Sequence, residues 1–270
     1  MELQGAPKHE RIGHTYKPIR YLSKRRQPLT CIIGAICAEG LVIVADTRIM
    51  RDLEATNESK FRFLWDDHVI VAGSGTTALL DYFTEGIAER NKGKLQPSSW
   101  FEATREIEDT LGDVKSRYLS RFGRDYELDI MFAGLEGVEK GDVSLRVGDA
   151  RAISEKVEKS IVIGSGSPYV RPFFQLMFSQ LLTLKETAIL GWFSMLSVIR
   201  MGIDQSIGVA ELGPEIVVLE PNQKPRYLSP YADSDFELAT RSAFSLDFGN
   251  RLVRKIWKKI PQAYETLDTS

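Results

Sequence analysis

The sequence predicts an α+β protein built as a four-layer αββα sandwich, with two stacked, mainly antiparallel sheets flanked by helix pairs. Three observations predict it. Runs of strands alternate with pairs of helices, an order that favours sheets in the middle and helices outside. Single strands do not alternate with single helices, which disfavours a doubly wound parallel sheet. The 270 residues are 43% hydrophobic and 27% charged, ordinary globular composition with enough apolar surface to offset the entropy of ordering.

Regular pattern starts after Gln27-Pro28. Thr30-Cys-Ile-Ile-Gly-Ala-Ile-Cys is a β-rich run, Glu39-Gly40 reads as a turn, and Leu41-Val-Ile-Val-Ala-Asp46 is a second strand. Two short strands, 60–65 and 68–72, flank the polar pair Asp66-Asp67, and Gly73-Ser-Gly75 breaks the second. Leu79, Leu80, Phe83, Ile87 and Ala88 recur at helical spacing, predicting an amphipathic helix over 76–91. A second helix starts at Ser98 or Ser99, where Glu102 is placed for a capping box. Its apolar face runs through Trp100, Phe101, Ile107, Leu111, Val114 and Tyr118.

Strands follow at 128–135 and 143–147, then at 160–163, ending on Gly164-Ser-Gly-Ser167. Helices are expected over 168–183 and 185–202, and a late strand over 215–219. Three regions result: a basic leader 1–29, a domain 30–222, and a C-terminal extension 223–270 with helical pattern over 236–260 and a basic end. The extension reads as a packed or interface helix rather than a catalytic part.

Charge is uneven. The leader holds seven basic and two acidic residues, a net +5, so the rest carries −7 against the overall −2. It lacks the apolar core of a secretory signal. It also lacks the aromatic interleaving of a nucleic-acid arm, so no nucleic-acid partner is expected. The longest apolar runs, 32–38 and 41–45, fall far short of the roughly 20 residues of a membrane helix. Cys31 and Cys37 share one strand, which holds them about 20 Å apart and unable to bridge. A reducing cytoplasm fits, and two Cys with three His argue against zinc. No cofactor or metal is expected.

Three polar residues stand where strands do not favour them. Asp46 ends an apolar strand, Lys60 opens the next, and Thr30 opens the first. Alone, each has a plain role as turn former, edge charge or β-former. Together, the segment 30–48, Lys60-Phe-Arg-Phe, Val71-Ala-Gly-Ser-Gly75 and Ile163-Gly-Ser-Gly-Ser-Pro-Tyr-Val170 resemble the proteasome β-type subunits. These are N-terminal-nucleophile (Ntn) hydrolases. The resemblance covers about 30–220 and includes the Thr30-to-Asp46 spacing.

It implies that Thr30, freed as the first residue, is the nucleophile with its own α-amine as base. An α-amine titrates near 8, which suits that task. Lys60 matches the lysine beside the threonine hydroxyl, and Asp46 the carboxylate that keeps this lysine charged and oriented. Gly73 matches the oxyanion-binding backbone N–H, typically worth about 2.7–4 kcal/mol. Ser165 matches the serine near the amine, Asp204 the aspartate after the fourth helix, and Ser206 lies near that aspartate's serine partner. Val71 falls at the pocket floor, and Arg62 shares the strand parity of Lys60, so it would reach the pocket wall or remain an exposed charge.

Leu29 stands where active members carry glycine before the threonine. A bulky residue there would hinder the N-to-O acyl shift, and an uncleaved Thr30 would lack its base. The resemblance therefore leaves three readings. The first is a threonine peptidase acting on peptides or unfolded proteins in a ring of proteasome-type subunits, homo- or hetero-oligomeric. The others are a non-catalytic ring subunit and an amidohydrolase of small amides. Cys31 points to the face opposite Thr30, as a core thiol would.

Overall fold

The computed structural model describes residues 30–51, 54–75, 77–92, 96–122, 128–136, 141–149, 151–200, 213–229 and 234–242. Strands β1 (Ile32–Cys37) and β2 (Gly40–Ala45) form the expected hairpin. A small hairpin of β3 (Arg48–Arg51) and β4 (Glu54–Asn57) follows. No strand was expected there, because residues 48–57 show no two-residue apolar alternation. Then come β5 (Phe61–Leu64), β6 (Val69–Gly75), α1 (Thr77–Asn91) and α2 (Trp100–Phe122). Strands β7 (Leu128–Glu136), β8 (Asp142–Gly148), β9 (Ser154–Lys156) and β10 (Ser160–Ile163) precede α3 (Ser167–Met177) and α4 (Leu184–Arg200). The described chain ends with β11 (Glu215–Leu219), β12 (Arg226–Tyr227) and α5 (Ser234–Ser242).

Two antiparallel five-stranded sheets run in the orders β10-β1-β2-β11-β12 and β5-β6-β7-β8-β9. Alternation along each strand sorts side chains to two faces. Ile32, Leu41, Ile43 and Val217 of the first sheet share a core with Phe61, Ile70, Ala72 and Met131 of the second. The other face of the first sheet, with Ile33, Val42 and Val44, packs against Val170, Phe174, Leu190 and Met195 of α3 and α4. The outer face of the second, with Val71, Ile130 and Phe132, packs against Leu80, Phe83, Ile107 and Leu111 of α1 and α2. Three apolar layers thus separate four structural layers, the predicted αββα order.

Local signals explain the helix ends. At α2 the Ser99 Oγ accepts the Glu102 N–H at 3.2 Å, while Glu102 accepts the Ser98 N–H at 2.7 Å. The first bond is the one the spacing predicts, and the carboxylate reaches one residue further back, to Ser98 instead of the Ser99 N–H. Helix α3 stops at Met177 rather than 183, because Phe178 turns extended at φ −79°, ψ 134°. Helix α5 packs on α4 through the edge-to-face pair Trp192–Phe236 at 5.6 Å and a 3.1 Å bond from Trp192 Nε1 to Thr240. The rest of the expected C-terminal helix, after Ser242, lies outside the described residues.

Candidate active site

The site lies at one end of the sandwich, just outside the strands that carry it. Thr30 lies two residues before the first of β1, Asp46 follows the last residue of β2, and Lys60 precedes the first of β5. Each was expected as the terminal residue of its strand. Standing outside the ladders, Asp46 and Lys60 pair with each other, and Lys60 lines one cavity with Thr30.

Thr30 is held at both ends of its peptide unit. Its N–H donates to Ser165 Oγ at 3.3 Å, and its carbonyl accepts the Gly166 N–H at 3.1 Å. Gly164 makes that approach possible: at φ +90°, a Cβ there would lie 2.1 Å from the Thr30 carbonyl oxygen. Only glycine fits such a position. The glycine-rich segment after β10 therefore cradles Thr30; of its residues, the resemblance had singled out Ser165 alone.

Asp46 organises the other side. Its Oδ1 accepts the Lys60 Nζ at 2.5 Å and the Cys31 N–H at 2.8 Å, while its own N–H donates to the Cys31 carbonyl at 3.1 Å. Asp46 is fully buried, and the Lys60 side chain is 5% exposed. Burying such a pair is tolerated because it is close and further bonded; removing one partner would strand a charge.

Thr30, Ser59, Lys60, Gly73, Ser74, Gly75, Leu80 and Leu128 line a cavity of about 10 Å³, roughly the room one water needs. The structure therefore brings Thr30, Asp46, Lys60, Gly73 and Ser165 together. The Gly73 N–H donates to the Lys60 carbonyl at 3.3 Å, so binding an oxyanion means releasing or sharing that long bond. Asp204 and Ser206 lie outside the described residues.

The two expected pocket residues are not among those lining the cavity. Val71 is fully buried in the layer under α1 and α2. Arg62 pairs with Asp81 at 2.6 Å and donates to the Ser59 carbonyl at 2.8 Å. Sequence reasoning missed Ser59, Ser74, Leu80 and Leu128, which strand parity and helical spacing place in the site or the core without distinction.

Cys31 is free and wholly buried, with its thiol pushed well above the usual range by burial and then by the Asp46 charge, against an opposing pull from Lys60. It lies in the core under α3 and α4, away from the cavity. Among the described residues no cluster of His, Cys, Asp or Glu could hold a metal ion. No helix among them is long and apolar enough to cross a membrane.

Four such layers around a threonine, a lysine and an aspartate define a proteasome-type fold of the N-terminal-nucleophile hydrolase class. The chain superposes on Anbu, titled an ancestral beta-subunit, from Yersinia bercovieri with a TM-score of 0.66 and 16% identity, covering 85% of this chain and 97% of that one. It also superposes on a structure titled as the helical assembly of the Anbu complex from Pseudomonas aeruginosa, with a TM-score of 0.68, 16% identity and coverage of 83% and 96%. At such identities the likeness speaks for fold alone. The chain belongs to the proteasome subunit family, whose model matches residues 30–206.

Among its relatives by sequence is a proteasome subunit alpha of Methanococcus maripaludis strain C5, 24% identical over 178 residues, 64% of this chain and 66% of that protein. Another, from Archaeoglobus fulgidus, is 23% identical over 205 residues, 74% and 80% of the two chains. The chain thus spans just under two thirds of the length of the first relative.

Proposed function

We propose that this chain is a threonine-type peptidase whose nucleophile is Thr30, released by cleavage of the Leu29–Thr30 bond and removal of the leader 1–29. The observation that carries the reading is the buried Asp46–Lys60 ion pair on the wall of the cavity that holds Thr30. An ammonium with no other role in a core favours the alkoxide form of a neighbouring hydroxyl, and its effect is amplified where water is excluded.

In the first reaction, the Thr30 hydroxyl attacks the Leu29 carbonyl carbon. The C–N bond breaks as the nitrogen takes a proton, and the leader remains as an ester on Thr30 Oγ. Water hydrolyses this ester and frees both the leader carboxylate and the α-amine. In turnover the α-amine accepts the hydroxyl proton as Oγ attacks a peptide carbonyl, then passes it to the departing amine. Water hydrolyses the acyl-enzyme. Ser165, whose hydroxyl already meets the Thr30 nitrogen, orients the amine, and the Gly73 N–H faces the oxyanion; Asp204 and Ser206 belong to the same proposal.

Assembly with further proteasome-type subunits in the cytoplasm, acting on peptides or unfolded proteins, completes this reading. A second reading, a non-catalytic ring subunit that keeps its leader, is favoured by relatives named alpha subunits and by Leu29 before the threonine. Intact mass decides between them. The peptidase reading expects wild type to lose residues 1–29 while Thr30→Ala stays full length; identical full-length masses after prolonged incubation would favour the structural role.

A further inference from the structure

Gly73 and Leu80 leave almost no space between them. A Cβ built on Gly73 would lie 2.7 Å from Leu80 Cδ1 and 3.0 Å from Cδ2, closer than packed carbons approach. Leu80 stands in the first turn of α1, is 2% exposed, and with Leu128 makes the apolar side of the Thr30 cavity. Ser59, Lys60 and Ser74 make the polar side.

From this packing we infer that Leu80 sets the substrate class, confining the residue on the acyl side of the cleaved bond to glycine, alanine or serine. The inference rests on Thr30 as nucleophile. The acyl carbonyl carbon must meet Thr30 Oγ while its oxygen faces the Gly73 N–H, so that residue's side chain enters the space beside Gly73. The Leu80 isobutyl group already fills it, leaving room for about one water. Leu80 belongs to the same buried layer as Leu79, Phe83 and Val71, and a side chain in a close-packed layer has little room to retreat. Val71, expected at the pocket floor, is buried in the same layer as Leu80 and does not line the cavity.

The test uses full-length protein and N-acetyl tetrapeptide aminocoumarin amides that differ only in the residue before the coumarin: alanine, valine, leucine or phenylalanine. In wild type, kcat/KM should fall about 10- to 200-fold with the first added carbons, the usual range for a methylene in a fitted pocket. Leu80→Ala should bring the leucine and phenylalanine substrates to within tenfold of alanine. Leu80→Val, which keeps more of the packing, should admit valine but not phenylalanine, so the inference stands or falls even if Leu80→Ala fails to fold. Wild-type turnover of leucine or phenylalanine equal to alanine, or an unchanged profile in folded Leu80→Val, overturns it. If wild type cleaves the alanine substrate no faster than Thr30→Ala does, the nucleophile reading itself fails and takes this inference with it.

Discussion

Lys60 Nζ lies 2.5 Å from Asp46 Oδ1, and the same oxygen accepts the N–H of Cys31, the residue that follows Thr30. One carboxylate oxygen thus fixes both the cation and the backbone that carries the hydroxyl.

Lys60→Ala should abolish leader release and peptide turnover, by at least about 100-fold, as removal of an aligned electrostatic group commonly does. It strands the buried Asp46 charge, so a loss of about 3–5 kcal/mol is also expected. Guanidinium titration reads the stability, and activity is compared at a temperature where circular dichroism shows both proteins folded. Full activity in Lys60→Ala would remove the lysine from the mechanism.

Asp46→Asn retains an acceptor for the Cys31 N–H and loses the ion pair. Turnover should fall in the same direction as in Lys60→Ala, while the Cys31 main chain keeps its place. The measurement is kcat and KM separately, with the loss expected in kcat.

Gly164→Ala and Gly112→Ala should part in sign. The first puts a Cβ 2.1 Å from the Thr30 carbonyl at φ +90°, so it should cost at least about 1–3 kcal/mol and slow leader release. The second, within α2, meets only Ala152 at an ordinary 3.5 Å and should stabilise by about 0.4–1 kcal/mol. Thermal melts of both variants check the contrast.

Glu102 links α2 to pH. Hydrogen bonds from the Ser98 N–H and then its hydroxyl hold this carboxyl below its ordinary 4.5, despite exposure. A folded value below the unfolded one means that the cap stabilises above pH 4.5 and is lost as pH falls through the folded value. Wild type and Glu102→Gln should therefore differ in melting temperature at pH 7 and converge toward pH 3.

Cys31 and Cys37 should resist iodoacetamide in the native protein and react on unfolding. Both thiols are buried and pushed upward chiefly by that burial, which keeps the reactive thiolate scarce. Peptide mass mapping before and after guanidinium treatment reads the outcome.

The fold was legible because its signals are local and periodic. The β-rich runs on either side of Glu39-Gly40 anticipated the β1–β2 hairpin, and the Ser99–Glu102 spacing anticipated the start of α2. The β3–β4 hairpin was not legible, since its pairing comes from backbone bonds that its polar side chains do not announce. The early end of α3 depends on Phe178 turning extended, and the packing of Phe178 on Phe174 at 5.1 Å is a tertiary matter.

For the site, the sequence by itself determined which residue types were present: a threonine, an aspartate and a lysine at strand ends, with glycines at the turns between. Tertiary structure alone decided how they meet. It paired Lys60 with Asp46, turned Arg62 to Asp81 and the Ser59 carbonyl, and filled the space beside Gly73 with Leu80 instead of Val71. The reason is physical. Parity along a strand assigns a side chain to a face, but whether that face is a cavity wall or a packed layer depends on the helix laid across it, whose position no local period encodes.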